Sequence, residues 1–376
     1  MAEDGNKIVP DGSPAVPRLD DLAAVLPSRG GVVILPHDHP DPDAITSAAA
    51  LHLLLERKFG VHSRIVFSGS VTRAENIELF KHFRYHWLSP DQIRVRPKRR
   101  IAALFVDTRP WSGNITVPRF ARSVAVFDHH FAHRGPIDPG LFADLRPGLG
   151  ATVSMLFEYL EAAGVAVPTW LATCMSYAIA SETMDFKRRH MPLDERAYLS
   201  LIRRANLRVL GDIRNPSLPP RYFVQLGEAI ANARVYGRVA WSHLDGVPQP
   251  EIVSEIADRL AQIEGVTWSF CTATHGDRLL LSLRSNRKDA QCGRLLRRVF
   301  AQDGSAGGHE HMAAGSMPLE GMDPAERESR RHGLVRRLLQ RLDPRLRDAD
   351  SPPELISRSL AEIVREADLP TPRPPA

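Results

Sequence analysis

Apolar positions in the first half of the chain fall in short unbroken blocks. Gly31–Leu35 (GVVIL), Ser63–Phe67 (SRIVF), Ile101–Val106 (IAALFV) and Ser123–Phe127 (SVAVF) show little polar alternation. That pattern predicts strands covered on both faces, as in a parallel sheet. Stretches of helical period lie between and after them: Ala44–Leu55, Glu75–His82, Ala151–Ala163 and Thr169–Ala180. The last leads into a loop at Ser181–Met191 and a helix of roughly Asp194–Val209. Strand and helix in alternation predict an open α/β sheet with helices on both faces.

The rhythm changes after the breaker NPSLPP (Asn215–Pro220). Val235–Trp241 alternates like a half-exposed strand, and Glu251–Gln262 has the period of an amphipathic helix. Trp268–Thr274 and Leu279–Arg284 flank a His275-Gly276-Asp277 turn and predict a hairpin. A helix over Cys292–Phe300, a glycine-rich loop and a short strand near Ala313–Met317 complete a smaller α+β domain. Beyond it, Arg327–Leu342 forms a basic amphipathic helix with Leu334, Val335, Leu338, Leu339 and Leu342 on one face. Docking on the protein's own body or on a second subunit is the ordinary role of such a stripe. Nucleic-acid or membrane-surface binding is the sharper alternative.

Composition narrows the picture only slightly. Of 376 residues, 43% are hydrophobic and 25% charged, the balance of a soluble globular protein. No apolar run reaches the ~18 residues of a membrane span, and the N-terminus lacks a basic, apolar secretory pattern. Cys174, Cys271 and Cys292 are widely spaced and form no metal or disulfide framework; the expectation is a cytoplasmic protein with no membrane partner. The formal charge of +5 is compatible with a polyanionic substrate without requiring one.

The chemistry sits where the strands end. His37-Asp38-His39-Pro40-Asp41-Pro42-Asp43 follows GVVIL, Asp107 follows IAALFV, and Asp128-His129-His130 follows SVAVF. Ser181-Glu182-Thr183-Met184-Asp185 follows a helix. In open α/β sheets, ligands bind at the carboxyl ends of the strands. Any one of these clusters could serve as helix caps or turns, and Asp43 is an acceptable N-cap. Taken jointly they form an oxygen-rich set with a few imidazoles, which suits Mn²⁺ or Mg²⁺ better than zinc. There are too many carboxylates for one ion, whereas two ions sharing a bridging carboxylate account for them.

HDHPDPDAITSA, VDT, VFDHH and GATVSMLFEYL, followed by LSLRSNRKDAQCGRLLRRVFAQDGSAGGHEHMAAG, resemble in order the motifs of the DHH/DHHA1 phosphoesterase family. The similarity runs from about Val32 to Met317, and within the family it is to the oligoribonuclease and adenosine-bisphosphate phosphatase members. It implies a parallel-sheet DHH domain over 18–212, a linker over 213–232 and an α+β DHHA1 domain over 233–320. It also implies an active-site cleft between the two domains, while composition and periodicity predict a disordered segment over 1–17 and a basic helix with a loose tail over 321–376. On this resemblance His37 and Asp41 hold one cation, Asp43 and His129 the other, and Asp107 bridges them. His130 faces the scissile phosphate and protonates the leaving group, while Asp128 orients the imidazoles and an activated water attacks. Arg284, Ser285, Gly307, Gly308 and His309 bind substrate.

The implied cofactor is a pair of divalent cations, Mn²⁺ before Mg²⁺. The implied partner is a short single-stranded RNA or a nucleotide such as adenosine 3′,5′-bisphosphate, and a homodimer is compatible. Cyclic or linear dinucleotide hydrolysis and non-catalytic nucleotide sensing are the alternatives. Two positions depart from the family pattern. Glu182-Thr183 stands where the family has Asp-Thr, which leaves Glu182 or, less directly, Asp185 as the last ligand. Ala306 opens the glycine-rich loop where a glycine is usual.

Overall fold

The computed structural model describes residues 18–28, 31–93, 100–130, 140–287, 289–301, 303–308, 310–343 and 357–366. The segment 1–17 and the Pro-rich end from residue 369, expected to be disordered and loose, lie outside the described residues. The chain divides into two compact units, Met1–Ser217 and Leu218–Ala376.

In the first unit, α1 (Leu19–Val25) precedes β1 (Val32–Leu35), α2 (Pro42–Phe59), β2 (Ser63–Val66), α3 (Ala74–Lys81) and β3 (Trp87–Leu88). Then come β4 (Ile101–Val106), β5 (Ala121–Asp128), β6 (Phe142–Leu145), α4 (Thr152–Ala162), α5 (Thr169–Glu182), α6 (Pro192–Ile202) and α7 (Leu207–Arg214). The six strands are all parallel, in the order β3-β2-β1-β4-β5-β6. The order reverses between β1 and β4, so the crevice beyond those two strands is where such a sheet takes a ligand.

Register aligns the two loops that leave there. Leu35 of β1 pairs with Phe105 of β4, which starts His37 and Asp107 from the same level of the sheet. Buried side chains of α2, α4 and α5 form one core with Ile34, Leu104 and Phe127. The opposite face, with Val33, Leu35, Phe105 and Val126, is covered among the described residues by Ile93, Ile115 and Val117 rather than by a helix. Ile93 comes from the β3–β4 connection, and Ile115 and Val117 from the β4–β5 connection (Asp107–Phe120), which is rich in Pro, Gly, Ser and Asn and lacks a helical period.

The second unit comprises α8 (Pro220–Ala231), β7 (Arg234–Tyr236), β8 (Val239–Leu244), α9 (Ile252–Leu260), β9 (Trp268–His275) and β10 (Arg278–Ser285). It continues with α10 (Cys292–Phe300), β11 (Ser305–Gly308), β12 (Met312–Pro318), α11 (Pro324–Leu342), β13 (Arg358–Ser359) and α12 (Leu360–Glu366). Its seven-stranded sheet runs β11-β12-β10-β9-β8-β7-β13 and is antiparallel except for β8 and β9. β10 alternates across it. Leu279, Leu281 and Leu283 join α10 and α11 on one side, while Leu280 packs with α9 on the other.

Four stretches differ from the sequence-based expectation. The helix expected over Asp194–Val209 is broken between α6 and α7, where the Asn206 side chain accepts the Arg208 and Val209 amides and caps a new helix. The stretch expected as a linker contains α8, which Pro220 opens from its first turn. The glycine-rich loop contributes β11, paired with β12 from Ser305↔Ser316 to Gly308↔Ala313. A β-carbon on Gly293 would lie 2.1 Å from the Gly308 carbonyl oxygen, so a bare backbone there lets α10 approach this strand. Finally, the tail returns as β13 to pair with β7. Among the described residues no helix is long and apolar enough to cross a membrane.

Candidate metal centre

Asp41 performs two tasks. One oxygen caps α2, accepting the Ala44 amide at 2.9 Å, and the other lies 3.7 Å from His37 Nε2. The helix therefore fixes the carboxylate that faces the site. Asp43 is not the cap of α2; it lies in the first turn and is 1% exposed. Its carboxylate instead accepts the backbone amides of Thr152 and Val153 at 2.7 and 2.8 Å, at the positive N-terminus of α4.

Asp107 leaves β4 with a φ of +57°, a left-handed conformation costly for a non-glycine residue and concentrated at functional sites. Its amide donates to the Phe127 carbonyl at 2.9 Å, and its Oδ1 accepts the Thr152 hydroxyl at 2.9 Å. His37 Nε2 is 3.6 Å from one Asp107 oxygen, and His129 Nε2 is 3.4 Å from the other. The His129 Nδ1–H donates to the Leu149 carbonyl at 2.8 Å. Its Nε2 is buried without a hydrogen-bond partner and 3.9 Å from Asp43 Oδ2. His130 Nδ1 lies 2.7 Å from Asp128 and 3.5 Å from Asp107.

Two triads result: His37, Asp41 and Asp107, and Asp107, His129 and His130. In each, one donor atom per residue lies within 4.8 Å of the others. Asp107 belongs to both. The grouping places His130 beside His129 and Asp107, whereas the resemblance reserves it for the phosphate.

The electrostatics match the donor set. Burial pushes the Asp43 carboxyl well above its ordinary range, and Asp107, Asp41 and Glu182 add to the effect. Burial raises Asp107 and Glu182 as well, each with Asp41 contributing. Burial opposes the charge on His37, but Asp41 and Asp107 prevail and raise it to about 10. Crowded carboxylates and a buried imidazole nitrogen with no proton partner are what a hard or borderline divalent cation satisfies. These residues fit such an ion.

Glu182 ends α5 and takes part in this mutual repulsion. Asp185 is exposed and 3.3 Å from Arg214.

Asp128 stands apart from the crowd. Burial disfavours its charge, yet the His130 hydrogen bond and the Arg109 guanidinium hold its carboxyl well below the usual range. Arg109 is buried, ion-pairs with Asp128 and donates to the His130 carbonyl at 2.7 Å. Sequence reasoning missed Arg109 and Thr152. Arg109 stands two residues after Asp107, in a loop that already carried a candidate; Thr152 opens a helix and carries no charge.

The expected substrate residues lie in the second unit. Arg284 is 9% exposed, ion-pairs with Asp258 and donates to Ser282 Oγ at 2.8 Å and the Leu283 carbonyl at 3.0 Å. Ser285 donates its hydroxyl to the Thr267 carbonyl at 3.0 Å. Gly307 and Gly308 lie in β11, opposite Ala314 and Ala313. His309 lies outside the described residues.

Residues 31–179 match the DHH family N-terminal domain, and residues 237–330 match the DHHA1 domain. The chain belongs to the DHH family. Its DHH part holds every residue of both triads, and its DHHA1 part forms the core of the mixed sheet. An uncharacterised protein of Methanocaldococcus jannaschii is 30% identical over 292 residues, 77% of this chain and 59% of that protein. A probable manganese-dependent inorganic pyrophosphatase of Exiguobacterium is 29% identical over 157 residues, 42% of this chain and 49% of that protein. The chain thus spans about half to three fifths of the length of these two curated relatives. Among solved structures, an exopolyphosphatase-related protein of Bacteroides fragilis has the same fold. Its TM-score is 0.61 at 15% identity, over 85% of this chain and 94% of that one.

Proposed function

We propose that this DHH–DHHA1 chain is a two-cation phosphoesterase that hydrolyses short single-stranded RNA, and with it adenosine 3′,5′-bisphosphate. The observation that carries this reading is the Asp107 carboxylate, shared by two donor triads at the switch point of the parallel sheet. His37 and Asp41 are assigned to one cation and His129 to the other, with Asp43 and Glu182 supplying further negative charge. Mn²⁺ is favoured over Mg²⁺ by the imidazoles in the set and by the manganese-dependent relative. Bound cations supply Lewis acidity toward a phosphoryl oxygen and lower the pKa of an attacking water.

The chain's own residues do the rest. Asp128, kept ionised by Arg109, fixes the His130 ring so that its other nitrogen can deliver a proton to the departing oxygen. Asp43, tied to the α4 amides, keeps its carboxylate from turning away. Arg284, Ser285, Gly307, Gly308 and His309 are assigned to the substrate, with Arg284 exchanging Asp258 for phosphate. A second reading, hydrolysis of inorganic pyrophosphate, draws on the Exiguobacterium relative, which matches less than half of this chain.

Incubation with Mn²⁺ and a labelled pentanucleotide, adenosine 3′,5′-bisphosphate, a cyclic dinucleotide and pyrophosphate separates the options. Turnover of the first two, lost in Asp107→Ala, is expected. Activity surviving in Asp107→Ala would sink the shared-carboxylate assignment. Binding without turnover of any substrate would make the chain a nucleotide sensor. Comparison of Glu182→Gln with Asp185→Asn tests the last ligand, and only the former is expected to weaken metal binding.

A further inference from the structure

The arginines of α11 divide into two groups. Leu334, Val335, Leu338 and Leu339 are buried in the core of the second unit, so the apolar stripe docks on the protein's own body. Arg330 and Arg337 reach Asp303 at 3.1 and 2.8 Å, and Arg331 reaches Glu328 at 2.6 Å. Each of these cations has a carboxylate partner, with Arg330 and Arg337 sharing one. Between α10 and the last turns of α11, however, lies a cavity of about 750 Å³ lined by Arg287, Arg294, Arg298, Arg337 and Arg341.

The one carboxylate lining it, Asp289, is taken by Arg287 at 2.7 Å. Arg294, Arg298 and Arg341 are exposed, and no acidic side chain among the described residues pairs with them. Like charges gathered around one concavity repel each other and raise the local concentration of anions. The half-buried ring of Trp268 and the side chains of Gln291 and Gln340 line the same cavity. Guanidinium groups bind phosphates in a two-pronged manner, an indole face stacks on a base, and stacking tolerates any sequence. A small polyanion would need the cations alone. The ring and the open, surface-lying shape favour a nucleotide chain.

None of Arg284, Ser285, Gly307 and Gly308 lines this cavity, although Ser285 pairs with Trp268 across the strands and its hydroxyl accepts the Arg287 amide at 3.2 Å. Trp268, Leu295 and Leu342 pack with Leu279, Leu281 and Leu283 on the α10–α11 side of the sheet. Arg284 is turned toward Asp258 of α9, on the other side. Arg337, Gln340 and Arg341 also lie beyond the residues that match the DHHA1 domain. We propose that the cavity between α10 and α11 is a second, non-catalytic site for single-stranded nucleic acid. Arg294, Arg298 and Arg341 take its phosphates and Trp268 stacks on one base. Binding here does not require hydrolysis at the metal centre.

The test is fluorescence anisotropy of a labelled twelve-nucleotide oligo(A) with full-length Asp107→Ala protein in EDTA, across a salt series. Adding Arg294→Gln, Arg298→Gln and Arg341→Gln together should weaken binding at least tenfold. It should also flatten the log–log salt slope by about 2, near 0.7 per lost phosphate contact on a single strand. Trp268→Leu should lose roughly fivefold or more, and Trp268→Phe much less. Thermal melts establish that each variant is folded. Unchanged affinity and slope in the folded triple variant would overturn the proposal. Equal competition by inorganic tripolyphosphate, indifferent to Trp268, would overturn it in favour of a small anion. Equal competition by poly-glutamate would overturn it in favour of an acidic protein partner.

Discussion

The two units treat charge in opposite ways. At the carboxyl ends of the parallel sheet, Asp41, Asp43, Asp107 and Glu182 push one another's carboxyl groups or share the same neighbours. In the mixed-sheet unit, several arginines meet a carboxylate within the fold: Arg284 with Asp258, Arg327 with Asp277, Arg330 and Arg337 with Asp303. A fold tolerates crowded like charges when a ligand of opposite sign repays the repulsion, and stability is the usual cost. Uncompensated charge, rather than charge itself, is therefore what the two proposed binding places share. One is the carboxylate cluster around Asp107, and the other is the arginine cavity beside α10.

The comparison breaks first at Asp107. Asp107→Asn is expected to lower hydrolysis by at least about 10³-fold, since losing one electrostatic stabiliser alone costs 10²–10³. The same change should raise the melting temperature in EDTA, by roughly 2–4 °C for each kcal/mol of repulsion relieved. A lower melting temperature in EDTA would mean that the carboxylates are not in conflict. Next is the exception inside the first unit, the neutralised pair of Arg109 and Asp128. Arg109→Met leaves the buried Asp128 carboxylate with only the His130 imidazole beside it and should cost about 3 kcal/mol in urea unfolding, with a loss of activity on the order of 10–100-fold.

The third test uses pH. His37 is raised from about 6.5 in the unfolded chain to about 10 in the fold. Its stabilisation in metal-free protein is then complete below pH 6.5 and fades as pH rises through 10. Denaturation of wild type and His37→Asn in EDTA should show the largest gap at pH 6 and a much smaller one near pH 10. A gap that widens with pH would contradict the sign. The smallest effect belongs to the second unit. Arg284→Gln loses a pair whose acid is 41% exposed and should cost no more than ~1 kcal/mol, while affinity for a labelled pentanucleotide falls more visibly.

The sequence made the parallel sheet legible because β1 and β4 are unbroken apolar runs, and β2 and β5 each contain one, Ile65–Val66 and Val124–Phe127. β6 escaped notice because Asp144 interrupts it, and only the fold shows that Arg146 and Tyr159 satisfy that carboxylate. β11 reads as a loop because Ser-Ala-Gly-Gly offers no side chains to alternate; its pairing is set by β12. α8 was hidden by the prolines that open it. At the site, the titratable residues could be found from their position after strands. The tie of Asp43 to the α4 amides and the pairing of Arg109 with Asp128 could not be found, because these partners lie 109 and 19 residues away in the chain. Spatial neighbours of that kind leave no local pattern.

Thr152 and Val153 carry a consequence of their own. Their amide protons are directed onto Asp43, and the Thr152 hydroxyl onto Asp107. Any ion that draws electron density from those carboxylates weakens the same hydrogen bonds. The chain thus has two backbone resonances that act as gauges of occupancy. In an ¹⁵N spectrum titrated with diamagnetic Mg²⁺, they should move upfield in proportion to loading, long before any product is formed.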